Sequence, residues 1–275
     1  MVDLSFLEAY GRCQERAVAS EQRAIAGVER KPGRGETVAT PVFALRLLRS
    51  FELVRKGEPL VLPLSAQRLL AFLALREHPL SRVHVAGVLW PEVTQEHANA
   101  SLRTALWRLH RVGVELVAAT STNVLLSADV AVDVRETTSR ARRILDGGGA
   151  VDGDTATLSQ AGELLPDWYD DWVLIERERV RQLCVNALEL ASAEATAAGR
   201  TAHAADAGLA AVAFEPLRES AHRAVIAAHL AAGNFSEALR QYRLCRRLLG
   251  NIGLEPSPLI REQMRGLRIG DDRVT

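Results

Sequence analysis

Residues 94–112 read Thr-Gln-Glu-His-Ala-Asn-Ala-Ser-Leu-Arg-Thr-Ala-Leu-Trp-Arg-Leu-His-Arg-Val and constrain the chain more than any other stretch. Leu102, Ala105, Leu106 and Leu109 fall at i, i+3, i+4 and i+7, the one-sided apolar spacing of an amphipathic helix. Thr94 is placed to cap that helix and Gly113 to stop it. At about 100° per residue, Ala100, Thr104, Trp107 and Arg111 point away from the apolar stripe, flanked by Arg103 and Arg108. An aromatic ring and three arginines on the outward side suit a helix laid in a DNA groove, where Arg reaches phosphates and base edges. A solvated helix that happens to carry arginines is the plain alternative, so the flanking elements decide.

Upstream, Phe43, Leu45 and Leu47 alternate, Phe51, Leu53 and Arg55 continue the period of two, and Leu60–Leu64 follows a Lys56-Gly-Glu-Pro59 turn. This predicts a small antiparallel sheet of three strands. A helix capped by Ser65 then carries Leu69, Leu70, Phe72, Leu73 and Leu75 and ends at His78-Pro79. Ser81 caps a second short helix through Val85, Val88 and Leu89, which stops at Trp90-Pro91. After the 94–112 helix, Val114–Val117 and Val124–Leu126 read as a hairpin around Thr120-Ser-Thr-Asn123. Three strands, three helices and a hairpin are the order of a winged helix-turn-helix, with the second and third helices as the pair and the hairpin as the wing.

On Leu62-Pro-Leu-Ser-Ala-Gln-Arg-Leu-Leu-Ala71, Val88-Leu-Trp-Pro91 and Leu102-Arg-Thr-Ala-Leu-Trp-Arg-Leu-His-Arg111, residues 42–130 resemble the DNA-binding domain that opens the SARP family of bacterial transcriptional activators. Ala131-Val-Asp-Val-Arg135 stands where that family turns into its second domain.

Residues 136–270 are helical in pattern and rich in alanine. Ala197-Ala-Gly199 and Ala231-Ala-Gly233 lie 34 residues apart, as do Ala204 and Ala238, the period of a tetratricopeptide unit. Glu215-Pro216 and Glu255-Pro256 are 40 apart, which places an insertion around Gly250–Gly253. Leu164-Leu-Pro-Asp-Trp-Tyr-Asp-Asp-Trp172, Glu215–Arg223, Gly233–Tyr242 and Gly253–Pro258 resemble the bacterial transcriptional activation domain of the same family. The expected architecture is an α+β winged helix-turn-helix domain (41–131) followed by an all-α tetratricopeptide-like domain (132–270), behind an N-terminal arm and linker (1–40). The resemblance implies a sequence-specific activator of secondary-metabolite or pathway genes. It would bind promoter-proximal direct repeats as a dimer and recruit RNA polymerase holoenzyme through σ factor and core subunits.

For DNA contact the first candidates are Arg103, Thr104, Trp107, Arg108 and Arg111, with Asn99 and Ser101 facing phosphates near the helix start. Trp107 either meets DNA or packs on the sheet. Thr122 and Asn123 at the wing tip either enter the minor groove or form an ordinary turn; no arginine stands there. Arg240, Arg243, Arg246 and Arg247 make a basic stripe on one helix, either a solvated face or a dock for an acidic partner. Asp167, Asp170 and Asp171 lie among Trp168, Tyr169 and Trp172, where aromatic packing is favoured over a metal site.

Charge separates mildly along the chain. Residues 41–131 hold 10 basic and 7 acidic side chains, residues 132–275 hold 18 and 21, and the total is zero. Three distant cysteines fit neither a disulfide framework nor a zinc site; Cys184 and Cys245 are expected to be buried thiols in a reducing cytoplasm. No apolar run approaches a membrane span, and the first residues lack the features of a secretory leader. Neither lysine sits in a phosphate-binding loop and no Gly-x-Ser-x-Gly occurs, so no enzyme, cofactor or metal is expected. A protein-interaction scaffold, with the helical half binding a partner and the winged helix no longer reading DNA, is the competing reading.

Overall fold

The computed structural model describes residues 42–113, 116–151 and 153–265. The expected N-terminal arm and linker (1–40), with Cys13, lie outside the described residues, as do 266–270 of the expected second domain. The chain forms two compact units that divide between Arg135 and Glu136.

In the first unit, β1 (Phe43–Arg46), β2 (Glu52–Arg55) and β3 (Glu58–Leu60) form an antiparallel meander, and β7 (Val130–Val132) pairs in parallel with β1. Alternation fixes the register: Leu45 faces Leu53 on the buried side, while Arg46 pairs with Glu52 at 2.6 Å in solvent. A second small sheet joins β4 (Leu80–Ser81), β6 (Asn123–Leu126) and β5 (Val117–Ala119). β4 has no periodic signature in two residues. Of the expected strand at 114–117, residues 114 and 115 lie outside the described residues, Leu116 is a bend, and β5 runs from Val117 to Ala119.

Three helices pack on one another and on the second sheet: α1 (Leu64–Ala74), α2 (Arg82–Leu89) and α3 (Gln95–Val112). Ser81 caps α2, its Oγ accepting from the His84 N–H at 3.2 Å. Thr94 does the same for α3 at a longer 3.5 Å. Ser65 does not cap α1: the helix begins at Leu64 behind Pro63, which has no capping side chain. Gly113 ends α3 in an extended conformation (φ −176°) rather than the left-handed one, and what requires glycine is space. A Cβ there would lie 2.6 Å from Cζ of the buried Phe43 ring.

Two charged side chains close the unit. Asp133 accepts from the N–H groups of Leu47 (2.9 Å) and Leu48 (3.0 Å), which follow β1, and from Val134 N–H (2.7 Å). Arg135 donates to the carbonyls of Leu73 (3.3 Å), Ala74 (2.8 Å) and Arg76 (2.6 Å) at and beyond the end of α1, the first of which also accepts from the Arg76 N–H at 3.2 Å.

The second unit is helical: the body of α4 (Asp133–Arg143), a π turn (Ile144–Gly148), α5 (Asp154–Gln160), α6 (Asp171–Ala197), α7 (Thr201–Phe214), α8 (Glu219–Ala231), α9 (Phe235–Gly250) and α10 (Pro258–Met264). Buried Asp154 holds the first of these together, bonding Arg140 at 3.0 Å, Arg143, and the Val151 N–H at 2.9 Å. Gly199 and Gly233, 34 residues apart, end α6 and α8 in the left-handed conformation (φ 71° and 74°) with the same paired bonds. Arg200 N–H reaches Ala195 O at 2.8 Å and Asn234 N–H reaches His229 O at 2.8 Å. Each turn sends the chain into the next helix. Ser192 donates to the Ala204 carbonyl across α6 and α7 (2.7 Å), and Gly208 lets α7 meet α8 backbone to side chain. A Cβ on Gly208 would stand 2.8 Å from Val225 Cγ2 and 3.1 Å from its amide nitrogen.

His222 is fully buried between these helices. Its Nε2 donates to the Pro216 carbonyl and its Nδ1 accepts from the Gln241 amide, both at 2.8 Å, which selects the neutral ring. Burial pushes its pKa below the ordinary 6.5, against the Pro216 bond and the Glu219 charge. Cys184 and Cys245 are buried thiols, pushed up to about 11 by burial.

Gly208→Ala is expected to destabilise the protein by about 1–3 kcal/mol in chemical denaturation, because the α7–α8 crossing must open; an unchanged midpoint would mean the helices do not meet there. In the window below pH 6.5 the unfolded chain binds a proton at residue 222 that the folded chain resists, so stability falls as pH falls. The melting midpoint should therefore drop between pH 7.5 and 5.5, and His222→Gln should flatten that dependence.

Candidate nucleic-acid interface

The helix α3 is held by one side. Leu102, Ala105 and Leu109 are buried, with Leu106 half-buried beside them, against α1 and α2. The opposite side carries Arg103, Trp107 and Arg111 at i, i+4 and i+8, in one line and all exposed. Trp107 is 57% exposed, so it does not pack on the sheet. The Arg111 guanidinium lies 5.0 Å from its ring centroid, a cation–π contact that holds ring and charge together. Arg103 has no hydrogen bond or ion pair among the described residues.

The remaining candidates divide into free and committed groups. Thr104 is exposed, but its hydroxyl donates to the Ala100 carbonyl at 3.0 Å. Asn99, half-buried, accepts from Gln95 at 3.2 Å; Ser101 is half-buried on the same helix. Arg108 is the outlier. It is half-buried and donates to Ser65 Oγ at 2.9 Å, bracing α3 against the first turn of α1.

At the hairpin tip Thr122 and Asn123 are exposed, and their N–H groups turn inward to Thr120 Oγ1 at 3.3 and 2.8 Å. The tip is thus preformed by Thr120 rather than loose. Arg82 binds it to the rest. Its Nη1 donates to the Thr120 carbonyl (2.7 Å) and its backbone N–H to the Thr122 carbonyl (2.8 Å). Burial, and then the nearby Arg103 charge, lower the Arg82 guanidinium from its ordinary value, so two cations share this side of the unit with the hairpin. The sequence pattern passed over Arg82. Its one signal is an arginine directly after an N-cap, where a helix dipole disfavours positive charge.

Elsewhere, Trp172 is buried with Trp168 edge-on to it at 6.3 Å, as expected, whereas Tyr169 is 79% exposed and outside that packing. Arg177 holds the surrounding loop by donating to the carbonyls of Leu164 (2.8 Å), Leu165 and Trp168 (2.9 Å). Among the described residues no group of three or more His, Cys, Asp or Glu could hold a metal ion, and no helix is long and apolar enough to cross a membrane.

The Arg108–Ser65 bond is expected to be worth about 0.5–1.5 kcal/mol. A double-mutant cycle on Arg108→Ala and Ser65→Ala reads it; zero coupling would show that Arg108 is not a brace.

Compared with known proteins, the family described as the bacterial transcriptional activator domain matches residues 129–268, just over half of the chain. No curated protein matches the chain. Among solved structures, Mycobacterium tuberculosis EmbR in complex with a low-affinity phosphopeptide is similar, with a TM-score of 0.62 and 22% identity over 81% of this chain. The match spans 64% of that protein's chain, and at this identity the likeness concerns the fold.

Proposed function

We propose that this chain, which belongs to the bacterial transcriptional activator domain family, is a transcriptional activator of the SARP type that reads duplex DNA through its first unit. In this reading residues 42–131 are a winged helix-turn-helix: α2 and α3 are the helix pair, and β5–β6 the wing. The observation that carries it is the exposed line Arg103–Trp107–Arg111 on a helix whose other face is locked in the core. Arg103 and Arg111 are placed to read base edges, the Trp107 ring to lie against sugars or a thymine methyl, and Thr122 and Asn123 to meet the backbone of the neighbouring groove. Arg108 serves as the brace that sets the pitch of α3. The helical unit supports a dimer on direct repeats and contacts RNA polymerase holoenzyme, and the equal helix-end turns at Gly199 and Gly233 support its tetratricopeptide-like reading.

Selection of bound duplexes from random DNA tests this directly. One defined motif should emerge, also protected upstream of the protein's own or neighbouring genes in a footprint. Arg103→Ala and Arg111→Ala should each cost about 1–3 kcal/mol of discrimination at one position of the motif while thermal melting stays unchanged. Binding that depends on salt but not on sequence would overturn the reading, and a stable protein partner retained with no DNA affinity at low salt would favour the scaffold.

A further inference from the structure

The second unit carries an acidic excess, and several of its arginines outside α9 pair with it. Arg140 and Arg143 pair with Asp154, Arg177 with Glu163, Arg179 with Glu176, Arg181 with Glu178 and Glu215, and Arg218 with Glu189. The helix α9 breaks this habit. Its inward face buries Ala238, Gln241, Cys245 and Leu249, and its outward face presents Arg240, Arg243, Arg246 and Arg247, all exposed. Arg240, 77% exposed, has a surface pairing with Glu237 at 3.1 Å. Arg243, Arg246 and Arg247 have no hydrogen bond or ion pair among the described residues. The helix dipole rewards cations in the last turn, which accounts for Arg247 but not for Arg240 and Arg243 further back.

We infer that this arginine face is a second contact for the sugar-phosphate backbone of duplex DNA, independent of base sequence. Four guanidinium groups within about 10 Å of helix rise meet a partner whose charges repeat every few ångström. A folded protein partner fits less well, because stable interfaces centre on buried apolar anchors with charge at the rim. Here the order is reversed: the apolar side chain within the face, Leu239, is half-buried against the core, and the exposed Phe235 and Ile252 stand at the two ends of the helix. The inference rests on the reading of the chain as a DNA binder, but not on base recognition by α3. Covalent linkage to a duplex-binding unit raises the local phosphate concentration, so even weak contacts add to affinity.

The experiment compares the full chain with the triple variants Arg243→Ala/Arg246→Ala/Arg247→Ala and Arg243→Lys/Arg246→Lys/Arg247→Lys. Binding to a selected duplex and to an unrelated duplex of equal length is followed by fluorescence anisotropy across a salt series, with melting curves as a control of folding. The alanine variant should lose affinity for both duplexes by the same factor, with the slope of log K against log salt reduced by about 2–3. The ratio between the two duplexes should not change, and the lysine variant should keep the wild-type slope. A wild-type slope and affinity in the alanine variant would overturn the inference, and if transcription in vitro fell nonetheless, the face would belong to an acidic protein. A wild type without sequence preference whose slope still falls on substitution would uphold this surface and overturn base reading by α3; a selective wild type with an indifferent stripe would do the reverse.

Discussion

The one-sided burial of α3 is the constraint on which the proposed interface depends. Leu102 and Leu109 are each about 1% exposed, and burying a leucine contributes roughly 1.5–3 kcal/mol. Rotating the helix by a third of a turn would place Arg103 or Arg108 over that apolar floor and expose the leucines. The arginines and Trp107 therefore face outward because of what lies beneath them, and Gly113 admits the Phe43 ring at the helix end, where a Cβ would force either the ring or the helix end to shift.

Charge serves two distinct ends in the first unit. Asp133 and Arg135 are turned inward, toward backbone N–H groups after β1 and carbonyl groups at the end of α1. Each stabilises through the backbone, and an unpaired backbone group in that position would be costly. Arg103 and Arg111 are left in solvent. Arg82 and Arg108 stand between the two: one guanidinium ties down the hairpin and the other the start of α1, and both shape the surface without being its most available cations.

In the helical unit small residues do what leucines do in α3. Gly208 and the buried alanines 204, 207, 211, 221 and 228 let α7 and α8 approach until backbone meets side chain. Within this packing the polar atoms of His222 and Ser192 are satisfied, by Pro216 and Gln241 for the first and by the Ala204 carbonyl for the second.

Much of this was legible in the residue order, because it follows from local rules. Helical period marks the apolar stripe of α3; glycine after paired alanines marks the ends of α6 and α8; Thr94 and Ser81 are caps by chemistry and position. The outward placement of Arg103, Trp107 and Arg111 followed from the same period, though not the freedom of their side chains. Only tertiary structure decided what non-local partners do. Ser65 reads as a cap yet receives Arg108 from 43 residues away, Arg135 reaches the end of α1 across about 60 residues, and Arg82 meets the hairpin 38 residues on. Periodicity specifies which way a side chain points from its own axis. It holds no information on which other backbone lies within reach, and hydrogen bonding, unlike burial, is settled by that reach.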